Sequence, residues 1–222
     1  QAAVLQRKAD LGLAFDGDAD RCLAVDEQGR LVDGDQIMVI LAHELIRQQT
    51  LRDNTLVATV MSNLGLHQAM RRVGGQVMVT AVGDRYVLEA MQKHGLTLGG
   101  EQSGHIIFGE HSTTGDGLMT ALQLLSSLKR NGSRLSELGA LMTRFPQVLV
   151  NVGVRSKAGW QENARIAAAV KAAEAELGED GRVLVRASGT EPLIRVMAEG
   201  PDQGELEKLA GEVAQVIRAE LS

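Results

Sequence analysis

The chain has 222 residues, 44% of them hydrophobic, and a formal net charge of −5, so it holds enough apolar material for real cores and suits two modest domains better than one. The acidic balance argues against a nucleic-acid partner, which would call for a basic face, and one Trp, one Tyr and three Phe leave few platforms for stacking bases. Cys22 is the sole cysteine, which excludes an intramolecular disulfide and a cysteine-based zinc site and fits a reducing, cytoplasmic setting. No apolar run approaches the roughly 18 residues of a membrane span.

The chain opens at Gln1, without a methionine, inside a helix-like segment, and is expected to be the C-terminal part of something longer. LGLAF, DGDAD and RCLAV then read as strand, acidic loop and strand, followed by a turn at 26–30 and a short strand at Leu31-Val32. Asp33-Gly34-Asp35 opens a helix through about Gln49, with Ile37, Ile40, Leu41 and Leu45 on one face. TLVATV is a buried-type strand, NLGLHQAMRRVG a helix, QVMVTA a second strand, and GDRYVLEAMQKHG a helix ending at Gly95. Strands alternating with helices of this size predict βαβ units and a mixed, mostly parallel α/β sheet.

LTLGG leads into a polar loop, and two helices follow in GDGLMTALQLLSSLKRNG and SRLSELGALM, the second with Ser133 as its N-cap. After Phe145-Pro146 the pattern changes to strand, long helix, two strands and a closing helix. That β-α-β-β-α order predicts a small α+β domain with an antiparallel sheet.

Four loops carry polar chemistry. In DGDADR, Asp16, Asp18 and Asp20 either point to one side of an extended backbone or converge if the loop curls. Three hard oxygen ligands suit Mg²⁺ or Ca²⁺ rather than zinc. A solvated acidic turn is the plain alternative, though three like charges between apolar strands would repel. A calcium loop of the D-x-D-x-D-G type is the sharper rival; Glu27 stands at its twelfth position, but Arg21 occupies the sixth, where the turn demands glycine. Arg21 is instead placed to hold a phosphate beside the metal.

The second loop, Gly100-Glu101-Gln102-Ser103-Gly104-His105, offers a carboxylate, a hydroxyl and an imidazole that can bind sugar hydroxyls and move protons. The third, Arg186-Ala187-Ser188-Gly189-Thr190-Glu191-Pro192 with Arg195 beyond, is either a polar β-turn or a phosphate cradle. The fourth, Val82-Gly83-Asp84-Arg85, is a strand-to-helix junction at the carboxyl end of a sheet, where Asp84 caps the helix or meets a ligand.

These loops, in this order, resemble the α-D-phosphohexomutase superfamily: DGDADR looks like its metal loop, GEQSGH its sugar loop and RASGTEP its phosphate loop. The resemblance covers nearly the whole chain, least at 50–75 and 155–180. It implies the end of a metal-binding α/β domain at 1–33, a sugar-binding α/β domain at 34–140 and a phosphate-binding α+β domain at 141–222. VGDRYV, GEQSGHII, TTGDGL and RASGTEPLIRVM look most like the amino-sugar branch, with the mannose and glucose phosphate branch as the alternative.

From another class, a non-catalytic module that binds Ca²⁺ or a sugar phosphate remains open. By resemblance, the whole enzyme interconverts glucosamine 6-phosphate and glucosamine 1-phosphate through a phosphoserine and a bisphosphate, for cell-wall precursor synthesis. Asp16, Asp18 and Asp20 would hold Mg²⁺, Arg21 the reacting phosphate, and His105 would help as acid/base. Asp84, Arg85, Glu101 and Ser103 would bind sugar, and Arg186, Ser188, Gly189, Thr190 and Arg195 the phosphate that is not reacting. The phosphorylated serine loop of the family has no match here: Ser62-Asn63 has the wrong neighbours. The expected partners are therefore a hexosamine phosphate and upstream domains of the same polypeptide; the resemblance also allows a homodimer, and this chain alone should be inactive.

Overall fold

Residues 1–144 and 145–222 form two units, each with its own hydrophobic core, and the computed structural model describes residues 1–221. In the first unit, α1 (Ala2–Arg7) leads into three antiparallel strands, β1 (Leu11–Phe15), β2 (Cys22–Asp26) and β3 (Leu31–Val32), in the order β1-β2-β3. Alternation in β2 buries Cys22, Ala24 and Asp26. Helix α2 (Gly34–Arg47) starts at a capping box: Asp33 Oδ1 accepts the Gln36 N–H at 3.1 Å, and the Gln36 side chain accepts the Asp33 N–H at 3.4 Å. Its Ile37, Met38, Ile40 and Leu41 enter the main core.

The second sheet runs β5-β4-β6-β7, from β4 (Thr55–Thr59), β5 (Gln76–Thr80), β6 (Leu98–Gly100) and β7 (Ile106–Phe108). β4 pairs in parallel with β5 and β6, whereas β7 returns antiparallel to β6, so the sheet is mixed as expected. Every residue of β4 is buried, which explains why its sequence is continuous rather than alternating. Helices α3 (Leu64–Arg72), α4 (Asp84–His94), α5 (Gly117–Asn131) and α6 (Leu135–Gly139) complete the unit.

Helix α6 corrects one expectation. Arg134, not Ser133, is the cap residue, and the Glu137 carboxylate accepts the Arg134 N–H at 2.9 Å. The serine lies one residue too early for its hydroxyl to reach the first turn.

The second unit has the expected β-α-β-β-α order: β8 (Gln147–Gly153), α7 (Ala164–Leu177), β9 (Arg182–Ala187), β10 (Leu193–Glu199) and α8 (Gln203–Leu221). Its sheet is antiparallel in the order β8-β10-β9, and α7 and α8 pack on it and on each other. Ile194, Val196 and Ala198 of the central strand join Leu206, Leu209, Val213 and Ile217 of α8 in one core. At the strand's end Glu199 is fully buried, opposite Arg182 on one neighbour and Gln147 on the other. Arg182 Nε donates to it at 2.7 Å and Gln147 Nε2 at 3.1 Å.

Candidate functional site

The acidic loop between β1 and β2 curls. Ala19 takes a left-handed backbone (φ 58°), the Ala19 N–H meets the Asp16 carbonyl at 3.3 Å, and the Arg21 N–H donates to Asp16 Oδ1 at 3.2 Å. Folding back in this way brings one oxygen each of Asp16, Asp18 and Asp20 within 4.8 Å of one another. Arg21 stands beside them, its Nε 3.5 Å from Asp16 Oδ2 and 3.8 Å from Asp20 Oδ1. Desolvation opposes the charge on Asp16, yet the Arg21 N–H and guanidinium help hold its carboxyl below the usual range.

Asp20 Oδ1 is buried and makes no hydrogen bond. Leaving such an oxygen unsatisfied costs about 1–3 kcal/mol, a cost that a bound cation removes. Three converging carboxylates with one oxygen in that condition fit a hard divalent ion.

The loop between β6 and β7 is stitched to this acidic loop through its backbone. Cys22 N–H donates to Gly104 O at 3.1 Å, and Arg21 and His105 form an antiparallel bridge. Gly104 has φ +94°, and a Cβ there would lie 2.4 Å from the Cys22 carbonyl oxygen, so only glycine permits the approach. Glu101 Oε1 accepts the Gly83 N–H at 2.9 Å, which draws the junction before α4 to the same loop; Ser103 is exposed at its tip.

Gln102, the α4 junction and His105 each have partners within the protein. Gln102 donates from its side-chain amide to Asp33 Oδ2 at 3.4 Å, while its backbone carbonyl accepts the Gly34 N–H at 3.0 Å. Gly83, not Asp84, caps α4; Asp84 accepts the N–H of Arg85, and Arg85 pairs with Glu89 at 2.7 Å. That intrahelical pair raises the Arg85 pKa further and leaves its side chain largely in solvent.

His105 is the third. It is 4% exposed, its Nδ1 lies 2.8 Å from Asp20 Oδ2, and its Nε2 accepts the Gly115 N–H at 2.9 Å. Both ring nitrogens are engaged within the protein.

In the second unit, Arg186 of β9 and Arg195 of β10 stand directly opposite each other. Like charges in that position repel unless an anion lies between them. Arg195 pairs with Glu191 at 3.1 Å, but its Nε is buried without a hydrogen-bond partner. The connecting turn is closed by Ser188 N–H to Leu193 O at 2.8 Å and Glu191 N–H to Ser188 Oγ at 3.3 Å, with Gly189 and Thr190 exposed at its tip.

Lys157, which sequence reasoning missed, places its ammonium 2.7 Å from the Ser188 carbonyl and 3.1 Å from that of Glu191. Two carbonyls are thus turned toward one cation, and positive charge is added beside the arginines. No local pattern around a lone loop lysine announces such a contact. Gly115 was also missed, although it belongs to the quoted TTGDGL stretch.

An open cavity of about 700 Å³ lies elsewhere in the first unit, lined by Leu5, Leu11, Leu125 and Leu135 with Lys8 and Lys129, and it shares no residue with the acidic loop. The loop chemistry, rather than the larger space, marks the site. No helix among the described residues is long and apolar enough to cross a membrane.

Comparison with known proteins defines the class. Residues 33–145 match the family model for phosphoglucomutase/phosphomannomutase, alpha/beta/alpha domain III, and residues 149–216 match that for the phosphoglucomutase/phosphomannomutase C-terminal domain. The chain belongs to the phosphoglucomutase/phosphomannomutase family. It is 59% identical over 221 residues to phosphoglucosamine mutase of Symbiobacterium thermophilum, covering 100% of this chain and 49% of that protein. Phosphoglucosamine mutase of Saccharopolyspora erythraea is 57% identical over 219 residues, 99% of this chain and 49% of the relative.

The chain therefore spans about half the length of the curated relatives it matches. Among solved structures, Aspergillus fumigatus N-acetylphosphoglucosamine mutase superposes with a TM-score of 0.81 at 25% identity, over 95% of this chain and 48% of that one. The same enzyme in complex with GlcNAc-6P and magnesium gives 0.77 at 25% identity, over 95% and 49%.

Proposed function

We propose that this chain supplies the metal loop, sugar loop and distal phosphate cradle of a phosphoglucosamine mutase, whose phosphoserine is carried by upstream domains of the same polypeptide. The unsatisfied Asp20 Oδ1 among three converging carboxylates carries the reading, because it calls for a cation where the family has its metal. Residues 1–33 would end the domain that holds the metal, 34–140 form the sugar-binding domain and 141–222 the phosphate-binding domain.

Asp16, Asp18 and Asp20 would hold Mg²⁺, which supplies charge neutralisation at a phosphoryl group when bound. Arg21, already beside two of those carboxylates, donates to the same phosphate. Glu101 and Ser103 take sugar hydroxyls, with Asp84 and Arg85 at the adjoining junction. Arg186, Ser188, Gly189, Thr190 and Arg195 grip the phosphate that is not reacting.

The reaction transfers a phosphoryl group from the phosphoserine to the free sugar hydroxyl. The resulting bisphosphate reverses its ends, and its other phosphate returns to the serine. Such transfer needs positioning and charge stabilisation more than covalent chemistry by side chains.

The test is a chimera that joins the part of Symbiobacterium thermophilum phosphoglucosamine mutase unmatched by this chain to residues 1–222. Supplied with a hexose bisphosphate activator, it is expected to interconvert the two glucosamine phosphates, and the 222-residue chain alone to show no turnover. Turnover by the chain alone, or a chimera that prefers mannose 6-phosphate, contradicts the reading.

A further inference from the structure

His105 lies between two segments: its ring meets Asp20 of the acidic loop on one side and Gly115, before α5, on the other. The backbone N–H of Gly115 can only donate, so Nε2 accepts and the ring proton must sit on Nδ1. From Nδ1 it is donated to Asp20 Oδ2 at 2.8 Å. The same carboxylate's Oδ1 is left buried and without a hydrogen-bond partner. One carboxylate oxygen is therefore tied to an imidazole while the other is held open.

The clamp is tight. A Cβ on Gly115 would lie 2.5 Å from the imidazole, so a side chain there displaces the ring. The Arg21–His105 bridge and the Cys22–Gly104 hydrogen bond fix the ring's backbone to the loop whose carboxylate it touches.

We propose that His105 is a positioning residue for the metal carboxylate Asp20: its Nδ1–H, with the tautomer set by the Gly115 amide, aims Asp20 Oδ1 at the ion. The inference rests on the reading of Asp16, Asp18 and Asp20 as a divalent-cation site. Its consequence is that the loop carrying Glu101 and Ser103 also holds the metal loop in register, so a disturbance of the sugar loop is felt at the ion.

Two substitutions separate the halves of the clamp. His105→Asn places an amide N–H near the Nδ1 position, where it donates to Asp20. His105→Gln reaches instead to the Nε2 position and meets only Gly115. Mg²⁺ titrated calorimetrically into the 222-residue chain is expected to bind His105→Gln ~10- to 100-fold more weakly than wild type, the range for lost partners of metal ligands, while His105→Asn stays close to wild type.

Long-range proton–nitrogen correlation spectra of the unsubstituted chain give a second readout that needs no variant to fold. They should show His105 with a protonated Nδ1 and a bare Nε2, with and without Mg²⁺. A protonated Nε2, or His105→Gln binding Mg²⁺ as tightly as wild type, overturns the positioning role. A wild-type chain that binds no Mg²⁺ overturns the cation reading itself, and the two failures are told apart by that first titration.

Discussion

The acidic loop of the first unit and the turn between β9 and β10 in the second solve opposite electrostatic problems with similar means. The first gathers three carboxylates and leaves one oxygen, Asp20 Oδ1, without a donor; the second gathers Arg186 and Arg195 face to face and leaves one donor, Arg195 Nε, without an acceptor. In both, a side chain from another segment braces the loop: His105 holds Asp20, and Lys157 holds the carbonyls of Ser188 and Glu191. The comparison accords with the proposed function, in which each loop takes a ligand of the opposite sign, a cation in one and an anion in the other.

The contrast can be broken from either side. The largest effect is expected from Mg²⁺ binding in Asp20→Asn, which loses a charged ligand and the oxygen that His105 aims. Affinity should fall on the order of 100-fold or beyond measurement, and phosphate binding should be untouched. Arg182→Ala strips the charged partner from the fully buried Glu199, leaving it Gln147, and is expected to destabilise the second unit by ~3 kcal/mol. Denaturant unfolding followed by Trp160, which packs on that unit's core, reads this directly, while Mg²⁺ binding should persist.

Arg186→Gln removes half of the like-charged pair. Inorganic phosphate should bind about 10-fold more weakly, as follows from losing one charge-assisted hydrogen bond, with no loss of folding stability because the repulsion goes too. Lys157→Gln, one shell further out, should weaken phosphate by only a few-fold, and both are measurable by chemical-shift titration.

The smallest effect is a change with pH. Burial pushes the Cys22 thiol up to about 11 from its usual 9.0. The folded state thus holds that proton where the unfolded state releases it, so the associated stability is intact below pH 9.0 and fades as pH approaches about 11. Cys22→Ala should flatten that part of the stability profile.

Much of this arrangement could be read from the chain. Apolar runs marked β2 and β4, and the order of elements after Phe145 gave the antiparallel second unit. Residue types singled out the acidic, sugar and phosphate loops as candidates, because three aspartates or two arginines with hydroxyls suggest their ligand chemistry locally. What stayed hidden depends on distance in sequence. His105 reads as an acid/base candidate, and nothing local shows that Gly115, ten residues on, and Asp20, eighty-five residues back, meet its two nitrogens. Lys157 has no signature at all until the turn it braces, more than thirty residues later, folds onto it. Side-chain identity reports what a group can do, but only the tertiary contacts report whether it is still available.

The central claim is that the two loops bind ions of opposite sign, and one pair of titrations on the isotopically labelled chain tests it most directly. Substoichiometric Mn²⁺ in place of Mg²⁺ should broaden the amide signals of residues 16–21 and 104–105, and inorganic phosphate should shift those of 186–195. Broadening by Mn²⁺ scattered over other acidic surfaces, or phosphate shifts with no focus on the Arg186–Arg195 turn, would contradict the account.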